Sequence, residues 1–280
     1  MKKLILLLIA TFLFTNSCSA FTWKFEQTDE DLIKKLMRKH VRYSNRTNAD
    51  KLTSLYDTNY KSADGFNLEV YSKMIEDIWN TYDDLEYSME IKNISINNES
   101  AKVEVIEKTY SKITESKIYQ GELKSEADTV YYLKKLDKKW KVVADRVLSE
   151  NTTILYGEAR GLDVKLTAPN EITANTDYSA ILEFAPPEGT LAIASISADP
   201  VEYPQKPTKE VFRVLPDENM LERLFTSNSN NTNEFIVASI GLTRTNVCDL
   251  DLQLSLTGFG YAMKRINVLS NNEGINSVKN

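Results

Sequence analysis

Residues 128–148 read DTVYYLKKLDKKWKVVADRVL. Two runs rich in β-branched and aromatic residues flank LDKKW, Leu136 to Trp140, whose charges belong in water. The stretch therefore predicts two antiparallel strands joined by a tight turn. Reading backwards, SAKVEVIEKTYSKI (100–113) alternates Val103 and Val105 with Lys102 and Glu104. Before it, LEYSMEIKNISINN (85–98) runs into an Asn-rich turn. Both predict further strands of the same sheet.

Upstream of those strands the period changes. Leu32, Ile33, Leu36, Met37, His40 and Val41 recur at three- and four-residue spacings, which predicts a helix with one apolar face. Thr28 precedes Asp29, Glu30 and Asp31, an N-cap followed by acids in the first turn. Asn48 caps a shorter helix carrying Leu52, Leu55 and Tyr56, and a third is predicted over NLEVYSKMIEDIWNTY (67–82), after a break at Gly65.

Helix, short helix, helix and then long strands closing on the YYLKKLDKKWKVV hairpin resembles the nuclear transport factor 2-like superfamily, the cystatin-like cone. The aromatic pair Tyr131 and Tyr132, the charged turn and Trp140 carry the likeness over residues 27–156. The resemblance implies an α+β domain with helices packed on a curved antiparallel sheet and a pocket between them. In catalytic relatives a His, Asp or Tyr inside that pocket acts as acid or base. A fold of this kind hosts many functions.

After Gly157 lysines thin out, and prolines from Pro169 to Pro216 punctuate short alternating runs. About seven strands over 158–270 predict a separate all-β domain, an immunoglobulin-like sandwich, followed by a polar tail at 271–280. Within it, PDENMLERLFTSNSNNTNE is expected to hold a short helix, Glu218 to Phe225, and a polar loop. The fold class expected is thus α+β, with three N-terminal helices on a curved antiparallel sheet, then a β-sandwich.

Charge limits the partners. Residues 1–25 carry a net +3, residues 26–157 a net −3 and residues 158–280 a net −6. No segment after residue 25 is basic enough to follow a phosphate backbone, so nucleic acid is not an expected partner. Two of those three charges, Lys2 and Lys3, belong to a signal peptide expected over residues 1–20. MKK precedes the eleven-residue apolar run Leu4 to Phe14, too short for a span of about 20 residues, and small residues follow it. Two cleavage readings stand. LFTNSCSA (13–20) resembles the lipobox of bacterial lipoproteins, with Ser17 before a lipidated Cys18, although Thr15 and Asn16 depart from its usual residues. Cleavage after Ala20 would instead release a soluble periplasmic or secreted protein. Lipidation at Cys18 is preferred, because Cys248 is the chain's one other cysteine and sits in a strand-like run that reads as core. The expected location is an envelope membrane, through that lipid anchor.

Chemistry is sparse. One histidine and one thiol beyond the leader cannot furnish a zinc site of usual spacing, and no phosphate loop, dinucleotide fingerprint, nucleophile elbow or calcium loop occurs. No cofactor or metal is expected. His40 with Trp79, Tyr82, Tyr110, Tyr131 and Trp140 forms the candidate pocket lining. The function these features suggest is non-catalytic binding of a small ligand or an envelope protein. The alternatives are an enzyme using His40 as acid or base, and a structural spacer.

Overall fold

The computed structural model describes residues 27–82, 84–114, 120–206, 210–248 and 251–270. Cys18, the whole leader and the tail from 271 lie outside the described residues, as does the side chain of Cys248. Strand accounts for 55% of the described residues and helix for 17%.

The three helices form where their periodicity places them: α1 Asp29–Ser44, α2 Ala49–Thr53 and α3 Leu68–Thr81. Thr28 caps α1 in a reciprocal box, its hydroxyl accepting from the Asp31 N–H while the Asp31 carboxylate accepts from the Thr28 N–H. Asn48 and Asn67 cap α2 and α3 through their side-chain oxygens. Four long strands follow: β1 Glu86–Asn97, β2 Ser100–Ile113, β3 Gly121–Leu136 and β4 Lys139–Gly157. The β3–β4 turn is Asp137-Lys138, with φ of 47° and 62°. Positive φ at both residues is the two-residue turn whose twist matches that of its strands.

Beyond Gly157 lie β5 Lys165–Thr167, β6 Glu171–Thr173, β7 Asp177–Glu183, β8 Thr190–Pro200, β9 Arg213–Val214, β10 Met220–Thr226, β11 Glu234–Cys248 and β12 Asp251–Leu269. The expected fold class is corrected here. A nine-stranded sheet runs β1-β2-β3-β4-β12-β11-β8-β9, with β6 parallel to β12, so among the described residues the long strands of the second half continue the first sheet. The join is the antiparallel β4–β12 ladder, from Gly258 opposite Gly157 to Lys264 opposite Asn151. The second sheet, β10-β7-β5, has three strands and packs over β8, β11 and β12.

Register shows why one sheet can serve both halves. Side chains alternate between faces along a strand, and bulges at Asp128/Thr129 and Tyr132/Leu133 each shift that alternation by one residue on β4. On the helix face, Leu133 lies opposite Val142 and Tyr131 opposite Asp145. This face buries Ile33, Leu36, Met37 and Leu52 against Val103, Val105, Tyr131 and Trp140. On the other face, Leu155, Ile236, Ile240 and Ile266 pack against Tyr178, Ala180 and Leu182 of β7. Two hydrophobic cores therefore sit on opposite faces of the same sheet, displaced from each other across the strand order.

The expected helix at Glu218–Phe225 is also corrected: Met220–Thr226 is strand β10, paired with β7. Leu221, Leu224 and Phe225 satisfy a helical spacing over so short a run, yet only Leu221 and Phe225 face the core while Leu224 is 75% exposed. The Asn-rich segment after it is a pinned connection. Asn228 Oδ1 accepts the N–H groups of Asn230 and Thr232, and buried Glu234 accepts from Asn228 and from Tyr178 Oη. Among the described residues no helix is long and apolar enough to cross a membrane.

The ladder depends on two glycines. A Cβ on Gly260 would lie 2.7 Å from the Ile154 carbonyl oxygen, and one on Gly258 would lie 2.5 Å from the Ala159 nitrogen. Gly260→Ala is expected to cost about 1–3 kcal/mol in urea denaturation, the range of an overpacked site. Unchanged stability would contradict the close approach.

Candidate functional site

The space between helices and sheet, where the sequence places a pocket, is occupied by side chains. His40 is 2% exposed on the buried face of α1, within the stripe of Ile33, Leu36 and Met37. Its Nε2 lies 2.8 Å from Tyr56 Oη, which donates to Tyr71 Oη at 2.9 Å. With the Tyr56 proton used in that way, the imidazole carries its own proton on Nε2 and donates it to Tyr56. Nδ1 is then the ring's bare acceptor, and it has no hydrogen-bond partner. The rings of Tyr87 and Tyr131 close the other sides, with centroids 5.7 and 5.6 Å away.

Glu107 is the second polar centre. It follows Val103 and Val105 on the inward side of β2 and accepts from Tyr131 Oη at 2.7 Å, Thr129 Oγ1 at 2.7 Å and Tyr87 Oη. A third centre lies toward the C-terminal half. Tyr60 Oη donates to Asp145 Oδ2 at 2.8 Å, and buried Arg265 of β12 pairs with Asp64, which also accepts from Asn233 at 2.7 Å. The loop between α2 and α3 thus holds residues of β12 and of the segment before β11.

Burial controls the charges here. It pushes His40 down to about 4, with the Glu107 charge acting weakly the other way, so the ring is neutral at pH 7. Burial pushes Asp145 up to about 6; the Tyr60 hydrogen bond opposes this, the Glu107 and Asp64 charges add to it, and Arg265 opposes it. Burial likewise raises the Tyr56, Tyr71, Tyr87 and Tyr131 hydroxyls and the Glu150 carboxyl. General acid–base catalysis needs a group that a substrate can reach. The described hydrogen-bond partner of His40 is a tyrosine, and no carboxylate shares a hydrogen bond with it.

The remaining sequence candidates scatter. Trp140 is 5% exposed, at the turn end of the sheet, and its Nε1 donates to Asp29 Oδ1 at 3.0 Å beside the Lys135 ammonium. Trp79 is partly buried against the helix-side core, and Tyr82 is half-buried at the C-cap of α3. Tyr131 belongs to the Glu107 network. Only Tyr110 of the six lines an open trough of about 1130 Å³.

That trough lies mainly over the other face of the sheet. Its floor is two cross-strand rows: Ser88, Lys108, Glu126 and Asn151, then Glu86, Tyr110, Lys124 and Thr153. Lys108 pairs with Glu126 at 2.8 Å, and Lys124 pairs with Glu122. At the rim Asn45, just past α1, donates to the Tyr87 carbonyl at 2.8 Å and accepts from its N–H at 2.7 Å. The helix layer is thereby fastened to the sheet edge. Among the described residues no cluster of three His, Cys, Asp or Glu is placed to hold a metal ion.

No family model matches the chain, and no curated protein matches it. Solved structures do. One is a protein of unknown function with a cystatin-like fold from Nostoc punctiforme, 12% identical, with a TM-score of 0.34, covering 44% of this chain and 92% of that one. Another is an NTF2-like protein with a cystatin-like fold from Novosphingobium aromaticivorans, 12% identical, with a TM-score of 0.35, covering 42% and 80%. The likeness is to NTF2-like, cystatin-like proteins. Bd1075 from Bdellovibrio bacteriovorus is 13% identical, with a TM-score of 0.35, over 41% of this chain; the match spans 38% of Bd1075.

The two shifted groups pull stability in opposite directions. His40 contributes stability above pH 6.5 that is lost as pH falls toward 4. Asp145 contributes stability at low pH that is lost as pH rises through about 6. Asp145→Asn is therefore expected to gain on the wild type as pH rises from 4 to 7, and His40→Gln to gain as pH falls over the same window. Each change is up to about 3 kcal/mol, read from urea titrations at each pH. Parallel pH profiles for variants and wild type would contradict these burial effects.

Proposed function

We propose that this chain is a non-catalytic binding protein exported to a bacterial cell envelope, held at the membrane by lipid on Cys18, and that it takes a small polar ligand in the trough over β1–β4. The observation that carries the reading is the contrast between the two spaces. The helix-side interior, where an enzyme of this likeness would work, is filled by His40, Tyr56 and Tyr131, each under 5% exposed. The trough is open and lined by hydroxyl, amide and charged groups around Tyr110. Apolar cofactor pockets are mostly hydrophobic; this floor suits a ligand that exchanges hydrogen bonds with water for hydrogen bonds with the protein.

Support for the address is the tripartite leader and the residues around Cys18. With several acyl chains on one cysteine, each contributing about 0.8 kcal/mol per buried methylene, anchoring would be stable. The eleven residues from Cys18 to Thr28 would tether the folded part to the bilayer.

Two measurements test this. Amide NMR during titration with a library of polar small molecules is expected to move resonances of residues 86–88, 108–110, 124–126 and 151–153. Shifts centred on His40 and Tyr131 instead would return the site to the interior and overturn the assignment. Intact mass of the mature protein is expected to start at an acylated Cys18; a mass starting at Phe21 without lipid would remove the anchor.

A further inference from the structure

We infer that the trough over β1–β4 recognises a neutral, hydroxyl-rich saccharide; this rests on the trough being the ligand site. Charge is the first consideration. Its lining holds Lys108, Lys112 and Lys124 against Asp84, Glu86 and Glu126, a formal balance of zero. The two lysines of the floor are already engaged, Lys108 by Glu126 across the strands and Lys124 by Glu122 along its own strand. An anionic ligand that recruited Lys108 would leave the Glu126 carboxylate beside it, and a cation would meet the reverse difficulty. Exposed ion pairs contribute little to stability, but here they remove the net field that would select a charged ligand.

Shape and hydrogen bonding supply what charge does not. Tyr110 is half-buried in the middle of its row, with Glu86 opposite on β1 and Lys124 opposite on β3. Directly opposed residues have Cβ atoms about 4.5–5.5 Å apart, so a group resting on the ring meets an acceptor on one side and a donor on the other. Ser88, Asn151 and Thr153 extend this set along the floor. A pyranose ring matches it. Its C–H face is complementary to the electron-rich face of a phenol ring, and its equatorial hydroxyls both donate and accept.

An extended peptide is disfavoured by the edge itself. Strand β1 ends the sheet order, and peptide addition there would need its free N–H and C=O groups. At Tyr87, beside the trough, both are taken by the Asn45 side chain.

The test is titration of the full mature chain with cellotetraose, maltotetraose and N,N′,N″,N‴-tetraacetylchitotetraose, followed by calorimetry and amide NMR at low and high salt. At least one is expected to bind, with shifts on both rows of the floor and an affinity nearly independent of salt. Tyr110→Ala and Tyr110→Leu are both expected to weaken it roughly tenfold or more; the leucine variant keeps the bulk and removes the ring, and unchanged far-UV circular dichroism establishes that each variant is folded. If none of the three binds while a tetragalacturonate binds the same rows with steep salt dependence, the saccharide is charged and the inference fails, though the trough stands. Neutral saccharide binding with shifts elsewhere would remove the trough itself, and binding unaltered in both Tyr110 variants would remove the stacking role. Absence of binding by every probe overturns the ligand class.

Discussion

The structure depends on one backbone ladder. Where β12 lies against β4, from Gly157 opposite Gly258 to Asn151 opposite Lys264, the sheet of the first half becomes the sheet of the second. The approach is close enough that Gly258 and Gly260 have no room for a side chain. Once that ladder forms, alternation assigns everything else. Even-spaced residues such as Thr153 and Leu155 share the face covered by β5, β7 and β10, while Thr152 and Ile154 share the face that carries the helices. The helix side adds its own tie across the join, the Asp64–Arg265 pair with Asn233 and Asn267. A guanidinium 2% exposed would be costly unpaired, so the α2–α3 loop and β12 constrain each other.

Local physics was legible in the sequence, and long-range pairing was not. The helices could be placed from a 3.6-residue stripe and from Thr28, Asn48 and Gly65. The β3–β4 hairpin could be placed from a charged turn between β-branched runs. Nothing local records that β12 would choose β4 as a neighbour more than 90 residues away in sequence, and a glycine in LTGFGY reads equally well as a turn signal. The two runs LDLQLSLTGFGY and AMKRINVLS accordingly look like two strands, whereas they are one, Asp251–Leu269. Strand β10 was misread for a related reason: seven residues fit both periods, and the pairing with β7 decides between them.

The same division applies to the candidate site. His40 was visible as the one histidine, and its place on the apolar face of α1 already pointed to burial. Glu107 was overlooked, although it continues the inward beat of Val103 and Val105 and is the carboxylate around which Tyr87, Tyr131 and Thr129 organise. Tyr56, Tyr60 and Tyr71 were hidden because a tyrosine spacing carries no information about which hydroxyls meet. The trough was hidden for a different reason. Its floor is made of exposed, alternately charged residues that read as ordinary solvated strand face, and only register brings Tyr110 between Glu86 and Lys124. Of the six candidate pocket residues, five lie away from that floor, so the trough is a property of sheet geometry more than of composition.

A sheet shared by two cores makes the chain one cooperative unit, and native-state hydrogen exchange on the β4–β12 ladder tests this most directly. The amides of residues 151–157 and 258–264 that bond across the join are expected to exchange only through global opening, with the same denaturant dependence as the centres of β3 and β11. Exchange of the ladder through a cheaper sub-global opening, with the two cores unfolding in separate steps, would contradict it.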